Sequence, residues 1–438
     1  MLYLSLMLLS EIGKHIGEEI VACGFVQSLR DQKHVQFLIL RDYSASVQVV
    51  HEKAADPALA EIISSLTDES AVQIIGTVVS NPKVKLGGLE IVLKAIQHAN
   101  VADSPLPFGK NPASETRLDW RFLDLRRNQA NTLIFRIQTA MERAMREFWN
   151  KYDFIEIHSP KLMGTPSESG AELFELDYFG KGKAYLAQSP QFYKQMAVAS
   201  GFRRVFEIGP VFRANPSYTS RHDVEFVSVD VEFDCIKSHQ DVMDFEQAWL
   251  QFVIAQVKQE FGAEIQKHFG IEVTVPEMPF PHIALSDAMD VLGGMGHVIE
   301  HRDDLDPEGE RKLCQYIKEK YGHEFVFVID YPISKRPFYH MRHPDNPQLT
   351  RSYDLLYKGL EVTTGAQREH RVEILERQAI EKGLSLDPLK DYLNFFRYGC
   401  PPHGGFGAGL TRLLMVLLDR PNVREVTFLY RGPNRLRP

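Results

Sequence analysis

Cysteine is scarce: Cys23, Cys235, Cys314 and Cys400 are scattered through 438 residues with no two close together. That spacing offers neither a zinc ribbon nor a disulfide framework, and it fits a reducing, cytoplasmic setting. No apolar run approaches the length that crosses a bilayer, so no membrane partner is expected. The start, MLYLSLMLLS, is greasy but lacks a basic flank and a small-residue cleavage site, so it does not read as a signal peptide. A true start at Met7 explains it equally well. Glycine (29) and proline (24) are near average usage, which excludes collagen-like and wholly disordered chains. Positive charge is not in excess. With 50 Lys and Arg against 58 Asp and Glu, the net charge of −8 argues against indiscriminate nucleic-acid binding. A local basic patch can still meet a specific RNA. Internal repeats, low-complexity tracts and the GxxxxGK[ST] phosphate loop are all missing.

What is present divides the chain in three. The first hundred residues carry short alternating segments at Glu19–Ser28, Val35–Arg41, Ala45–His51, Ala71–Val79 and Leu89–Gln97. A helical stretch, Pro57–Leu66, falls between the third and fourth, which predicts a five-stranded closed barrel of the OB type over residues 1–103. Residues 104–130 read as a hinge: a Pro- and Gly-rich break, then the basic, aromatic stretch Arg117–Arg127 as a linker helix with a possible nucleic-acid backbone contact. From 131 to 438 strands and helices follow in runs rather than strict alternation. The expected class is α+β, an antiparallel sheet flanked by helices.

Three patterns in that larger region carry chemistry. Along Glu225–Phe233, period two sets Phe226, Ser228, Asp230 and Glu232 on one face and mostly apolar residues on the other. An aromatic and two carboxylates on one strand face suggest a lined site, with Arg213, Arg221 and His222 as nearby cations; an internally paired salt-bridge network is the plainer alternative. Ser189-Pro190 reads as a helix start with Ser as the cap and Pro as the first helical residue, placing Lys194 in the early turns. Glu361, Thr364 and Arg368 follow a hairpin at Asp354, and Arg412 follows the glycine-rich segment Gly404–Gly409. Acids able to hold Mg²⁺, several arginines and a stacking Phe together suit nucleotidyl transfer to a carboxylate. His297-Val-Ile-Glu-His301 matches the HxxEH zinc pattern, but its setting after Gly293-Gly-Met-Gly296 reads better as a surface turn and short helix.

Taken together these residues resemble a class II aminoacyl-tRNA synthetase, most closely the compact archaeal or eukaryotic-cytosolic aspartyl-tRNA synthetases, over nearly the whole chain. Phe154–Pro160 resembles motif 1, which in the family helps to build a homodimer. Val211–Phe226 resembles motif 2, and Gly407–Arg412 motif 3. The resemblance implies ATP and Mg²⁺ as cofactors, and L-aspartate and tRNA-Asp as substrates, with tRNA-Asn as a further acceptor left open. It implies Arg213 on the α-phosphate, Arg412 on the γ-phosphate, Phe226 stacked on adenine, and Arg221 and His222 near the phosphates. Glu361 and Thr364 would hold Mg²⁺. Lys194 and Arg368 would grip the aspartate side chain, while Asp230, Gln191, Ser189 and Glu168 would surround its amino group. In the barrel, Phe37, Gln48 and Glu90 match the family's anticodon contacts.

Some positions depart from the family. Asn215 and Thr411 replace acids usual in motifs 2 and 3, and Thr364 replaces a serine common in archaeal members. Gln27 stands where members strict for tRNA-Asp carry an aromatic, although Lys85 agrees with them. Two further readings therefore stay open. One is a paralogue that binds RNA or nucleotide without charging tRNA, supported by Asn215 and Thr411 alone. The other is an amide-forming enzyme that uses aspartyl-adenylate without tRNA, against which a barrel bearing Phe37 and Gln48 speaks.

Overall fold

The computed structural model describes residues 7–165 and 172–438. The first six residues, on which the choice of start depends, and Glu168 lie outside the described residues. Two compact units emerge, Met1–Leu133 and Ile134–Arg437.

The first unit contains β1 (Glu19–Asp31), β2 (Val35–Arg41), β3 (Ser46–Glu52), α1 (Pro57–Ser64), β4 (Ala71–Ser80) and β5 (Leu89–Asn100). These strands close into a barrel in the order β1-β2-β3-β5-β4, with β3 and β5 the parallel pair. Alternation builds it: Leu38, Leu40, Val47, Val49, Val72 and Ile74 point into one core while their chain neighbours face outward. The helix α1 starts where Asp56 accepts from the Leu59 amide at 3.0 Å and Pro57 occupies the first turn. The strand β1 outruns its expected end at Ser28 because a bulge at Gln27 resets the register. Ser28–Asp31 then continue pairing with Gln36–Ile39.

The basic stretch differs from its expectation. It is not one linker helix but two, α2 (Ser114–Asp119) and α3 (Arg121–Arg127), broken at Trp120. Its arginines are engaged within the unit. Arg117 and Arg121 converge on Asp124 at 2.9 and 2.7 Å, Arg126 lies 3.9 Å above the Phe25 ring, and Arg127 reaches the Phe108 carbonyl at 3.1 Å.

The long helix α4 (Gln129–Lys151) leads into the second unit. Next come β6 (Ile155–Glu156), shorter than the expected Phe154–His158, and the small strands β7 (Leu162–Met163), β8 (Glu175–Asp177) and β9 (Lys183–Leu186). Then α5 (Gln191–Ala199), β10 (Arg204–Phe212), β11 (Glu225–Asp234) and α6 (His239–Phe269) follow. Further on lie β12 (His282–Ala284), α7 (Leu285–Gly294), α8 (Pro307–Tyr321), β13 (Phe325–Ile329), β14 (Ser352–Tyr357) and β15 (Leu360–Gln367). The chain finishes with α9 (Val372–Glu381), α10 (Lys390–Arg397), β16 (His403–Gly409), α11 (Leu410–Leu417) and α12 (Val423–Val426).

Eight of these strands form one sheet in the order β12-β13-β14-β15-β16-β11-β10-β6. Its interior is antiparallel as expected, but both outermost pairings, β12 with β13 and β6 with β10, are parallel, so the sheet is mixed. The long α6 packs apolar residues such as Trp249 and Val253 into the buried layer, Trp249 lying 5.2 Å from Phe406 of β16. Among the described residues no helix is long and apolar enough to cross a membrane.

Candidate active site

The glycine-rich segment is the central strand β16, held between β11 and β15. A Cβ on Gly405 would fall 2.0 Å from the Val231 carbonyl oxygen, so only glycine allows this approach. Directly after the strand, α11 begins, and Arg412 sits in its first turn. The strands β11 and β15 flank β16 and present their polar residues to one cavity of about 420 Å³.

At one end of that cavity lies a buried group of four charges. Lys194, 2% exposed, sets its Nζ 3.0 Å from Asp230 and 3.2 Å from Glu232, and donates to the Phe406 carbonyl at 3.1 Å. Arg368 sends Nε to Glu232 at 3.0 Å, Nη2 to the Gly405 carbonyl at 3.0 Å, and Nη1 to His340 Nε2 at 2.9 Å. The Ser228 hydroxyl donates to Asp230 at 2.6 Å. Two cations and two carboxylates balance, which is how charges survive burial. Burial alone would raise the Glu232 carboxyl, yet Arg368 and Lys194 hold it below the usual carboxylate range. Burial and the adjacent Arg368 guanidinium keep His340 well below the ordinary histidine value, so the imidazole is neutral.

This corrects one expectation. The cations that pair with the β11 carboxylates are Lys194 and Arg368, from α5 and the end of β15, not the loop residues Arg213, Arg221 and His222. The start of α5 is also shifted. Pro190 is the cap rather than the first helical residue, its carbonyl accepting from the Lys194 amide at 2.9 Å, while Ser189 Oγ accepts from the Gln191 amide at 3.2 Å.

Along the other side two carboxylates, Glu310 and Glu361, lie between two arginines. Arg221 Nη1 meets Glu310 of α8 at 2.6 Å; Glu310 accepts from the Glu361 amide at 3.4 Å; Arg412 Nη1 lies 3.1 Å from the Glu361 carbonyl and 3.6 Å from its carboxylate. Burial pushes Glu310 up to about 7 against the pull of Arg221, with Glu361 adding to the rise. Thr364 donates to Glu361 at 3.2 Å. Strict alternation would put Glu361 and Thr364 on opposite faces. An extra residue at Val362, where β15 bulges against β14, brings both to the cavity and turns Thr363 away to Glu246.

Phe226 lines the same cavity with the Arg213 guanidinium 5.3 Å from its ring centre. Burial, together with Arg412, Arg221 and Arg213, lowers His222 to about 4, so it is uncharged near neutrality.

Of the predicted site residues, Arg213, Arg221, His222, Phe226, Glu361, Thr364, Arg412, Ser189, Gln191, Lys194, Asp230 and Arg368 line this one cavity. The departures Asn215 and Thr411 line it too. Glu168 lies outside the described residues. Sequence reasoning missed Asp223, Glu310 and His340, and left Glu232 without a role although the period-two pattern had already placed it on the right face. His297 pairs with Asp306 at 3.0 Å in a loop without the expected short helix. No cluster of three His, Cys, Asp or Glu able to hold a metal occurs among the described residues.

The barrel's predicted residues sit on its outer face. Phe37 is half-buried and outside the barrel core, diagonal to Gln48 across β2 and β3. Gln48 donates to Glu90 at 2.8 Å, and Asn81 donates to the other Glu90 oxygen at 2.8 Å. Gln27 accepts from the Ser46 hydroxyl at 2.9 Å.

Comparison with known proteins follows the same division. Residues 113–431 match the family described as class II tRNA synthetases (D, K and N), and residues 20–99 match the OB-fold nucleic-acid-binding domain. The aspartate--tRNA(Asp) ligase of Pyrococcus abyssi is 42% identical over 435 residues, covering 98% of both chains. The aspartate--tRNA(Asp/Asn) ligase of Methanopyrus kandleri is 42% identical over 429 residues, covering 96% of each. Among solved structures, the asparaginyl-tRNA synthetase of Pyrococcus horikoshii bound to asparaginyl-adenylate superposes with a TM-score of 0.90 at 29% identity over 99% of both chains. A putative aspartyl-tRNA synthetase from Leishmania major gives 0.84 at 31% identity, covering 99% of this chain and 95% of that one.

Proposed function

Since the chain belongs to the class II tRNA synthetases of the D, K and N group, we propose that it is an aspartate--tRNA ligase, activating L-aspartate with ATP and passing the aspartyl group to the 3′ end of tRNA-Asp. The observation that carries the choice of amino acid is Lys194, buried beside Arg368 on the cavity floor. Asp230 and Glu232 already balance these two cations, so an ionised substrate side chain would share them with the strand carboxylates, and the choice of aspartate rests on Lys194 together with the full-length similarity to aspartate--tRNA ligases.

In the first step the substrate α-carboxylate attacks the α-phosphorus of ATP, the α-phosphorus–oxygen bond to pyrophosphate breaks, and pyrophosphate leaves. Arg213 stabilises the charge gathering on the α-phosphate, Arg412 holds the γ-phosphate, and Phe226 fixes the adenine by stacking. No general base is required, because the attacking carboxylate is already ionised. Asp230, Ser189 and Gln191 surround the substrate amino group. In the second step the tRNA terminal hydroxyl attacks the activated carbonyl and AMP departs.

The donors at Glu361 fit Mg²⁺, which binds through one or two carboxylates, a hydroxyl, waters and phosphate oxygens. Glu361 and Thr364 would hold it, and when bound it would draw negative charge from the phosphates. Homodimer formation is part of the reading, supported by the motif 1 residues around β6 at the sheet margin, where Ile155 is exposed. Phe37, Gln48 and Glu90 would read the anticodon. A cytoplasmic location follows from the role in protein synthesis.

Aspartylation of tRNA-Asp and tRNA-Asn transcripts, side by side at matched salt, tests the assignment. Charging of tRNA-Asp is the expected result; charging of neither by folded protein overturns it. Charging of tRNA-Asn as well would identify the broader acceptor range named for the Methanopyrus relative, with Gln27 as the first position to change.

A further inference from the structure

Asp223 takes no part in the chemistry above, yet it lines the same cavity as Arg213 and Arg412. It lies in the loop between β10 and β11, is 8% exposed, and its Oδ2 has no hydrogen-bond partner. Arg213 faces it from the start of that loop, Thr411 and Arg412 from the first turn of α11, and Tyr430 from the C-terminal segment. His222 is its chain neighbour. No group on these elements forms a close ion pair with it, so the two guanidiniums act on it through space.

We infer that Asp223 is a placeholder anion of the nucleotide site, balancing Arg213 and Arg412 until a nucleoside triphosphate arrives and taking up one proton from solvent as the triphosphate binds. The inference rests on the reading that this cavity takes ATP. A carboxylate buried this deeply stays ionised only while cations face it. Burial already pushes Asp223 up to about 7, with Arg412, Arg213 and the Thr411 hydroxyl opposing the rise. When phosphates engage both guanidiniums, that opposition is lost and new negative charge enters the cavity. Both changes favour the neutral acid. The bond formed is O–H on the Asp223 carboxyl; no other bond changes.

The sign follows from linkage. Below about pH 7 the free enzyme already carries the proton, so binding takes up little; above it, uptake rises toward one proton per site. Affinity for ATP then falls as pH rises, by at most about tenfold per pH unit. His222, lowered to about 4 in the free cavity, and Glu310 are both intact in an Asp223 variant, so any protons they take up are common to the two proteins.

Calorimetry of ATP with Mg²⁺ binding to the full chain, in two buffers of different ionisation enthalpy at about pH 6.5, 7.5 and 8.5, counts the protons. Wild type is expected to take up more protons at the higher pH values, and Asp223→Asn to lack that pH-dependent part and to bind ATP with a flatter pH profile. Equal uptake by wild type and Asp223→Asn overturns the inference, as does ATP binding by wild type with no uptake. Absence of any ATP binding by folded wild type would instead sink the nucleotide reading itself. Should Asp223→Asn not fold, Asp223→Ser is measured in the same way.

Discussion

The two units place polar residues in opposite ways. On the catalytic floor, Lys194, Arg368, Asp230 and Glu232 are buried and each touches at least one other, so altering any one unbalances the charge of the group. On the barrel face, Phe37, Gln48 and Glu90 are part-exposed, and Gln48 and Asn81 reach Glu90 through hydrogen bonds that water can replace. The first arrangement is rigid and fails as a unit; the second yields by increments. A floor of this kind suits discrimination of one small anion, whereas a part-open face suits a flexible single strand that brings its own stacking surface.

The sharpest test of the contrast removes the charge proposed to act in the transition state. Arg213→Ala should lower aspartate-dependent ATP–pyrophosphate exchange by about 10²–10³-fold or more, with the circular dichroism spectrum unchanged. Near-normal exchange would show that the cavity does not activate an amino acid. Next in size is Lys194→Met, which leaves Asp230 and Glu232 short of a cation in a buried site. A stability loss of about 3–5 kcal/mol is expected in denaturant titration. The aspartate KM should rise steeply while the ATP KM moves much less. If stability and the aspartate KM both hold, the interlocked floor is not the specificity element.

Much of this was legible in the amino-acid order, and the reasons differ by element. The barrel strands follow period two, a local property, so their number and order were readable along with the position of α1. The β11 face was readable on the same grounds. The bulge at Val362 was not, because it depends on how β15 registers against β14. Only that irregularity explains why residues three apart, Glu361 and Thr364, share a cavity. The Arg221–Glu310 pair joins positions 89 residues apart, and no local pattern marks Glu310 among the charges of α8. Nor does composition reveal that Asp124 gathers Arg117 and Arg121, turning an apparently free basic stretch into an internal brace. Fold alone does not separate aspartate from asparagine specificity either, given the close superposition on an asparaginyl enzyme.

On the barrel face the expected effects shrink and move to a different observable. Phe37→Ala should reduce kcat/KM for tRNA by about 5- to 150-fold, the worth of one stacked base, while pyrophosphate exchange measured without tRNA stays at the wild-type level. A matching drop in exchange would mean that the variant disturbs the enzyme generally.

The smallest effect, and the finest probe of the comparison, comes from Asn81→Ala. Asn81 donates to the second oxygen of Glu90, whose first oxygen still holds Gln48, and its own Oδ1 accepts from the exposed Lys83 amide at 3.2 Å, a donor that water can satisfy in its place. Because water can reach the freed oxygen, the loss should approach the net value of one hydrogen bond, about 0.5–1.5 kcal/mol. That corresponds to a fall of about two- to tenfold in kcat/KM for tRNA. The same deletion made on the catalytic floor would strand a buried charge and cost far more. If Asn81→Ala instead abolishes charging, the barrel face is as interlocked as the floor, and the two units do not differ in the way their burial suggests.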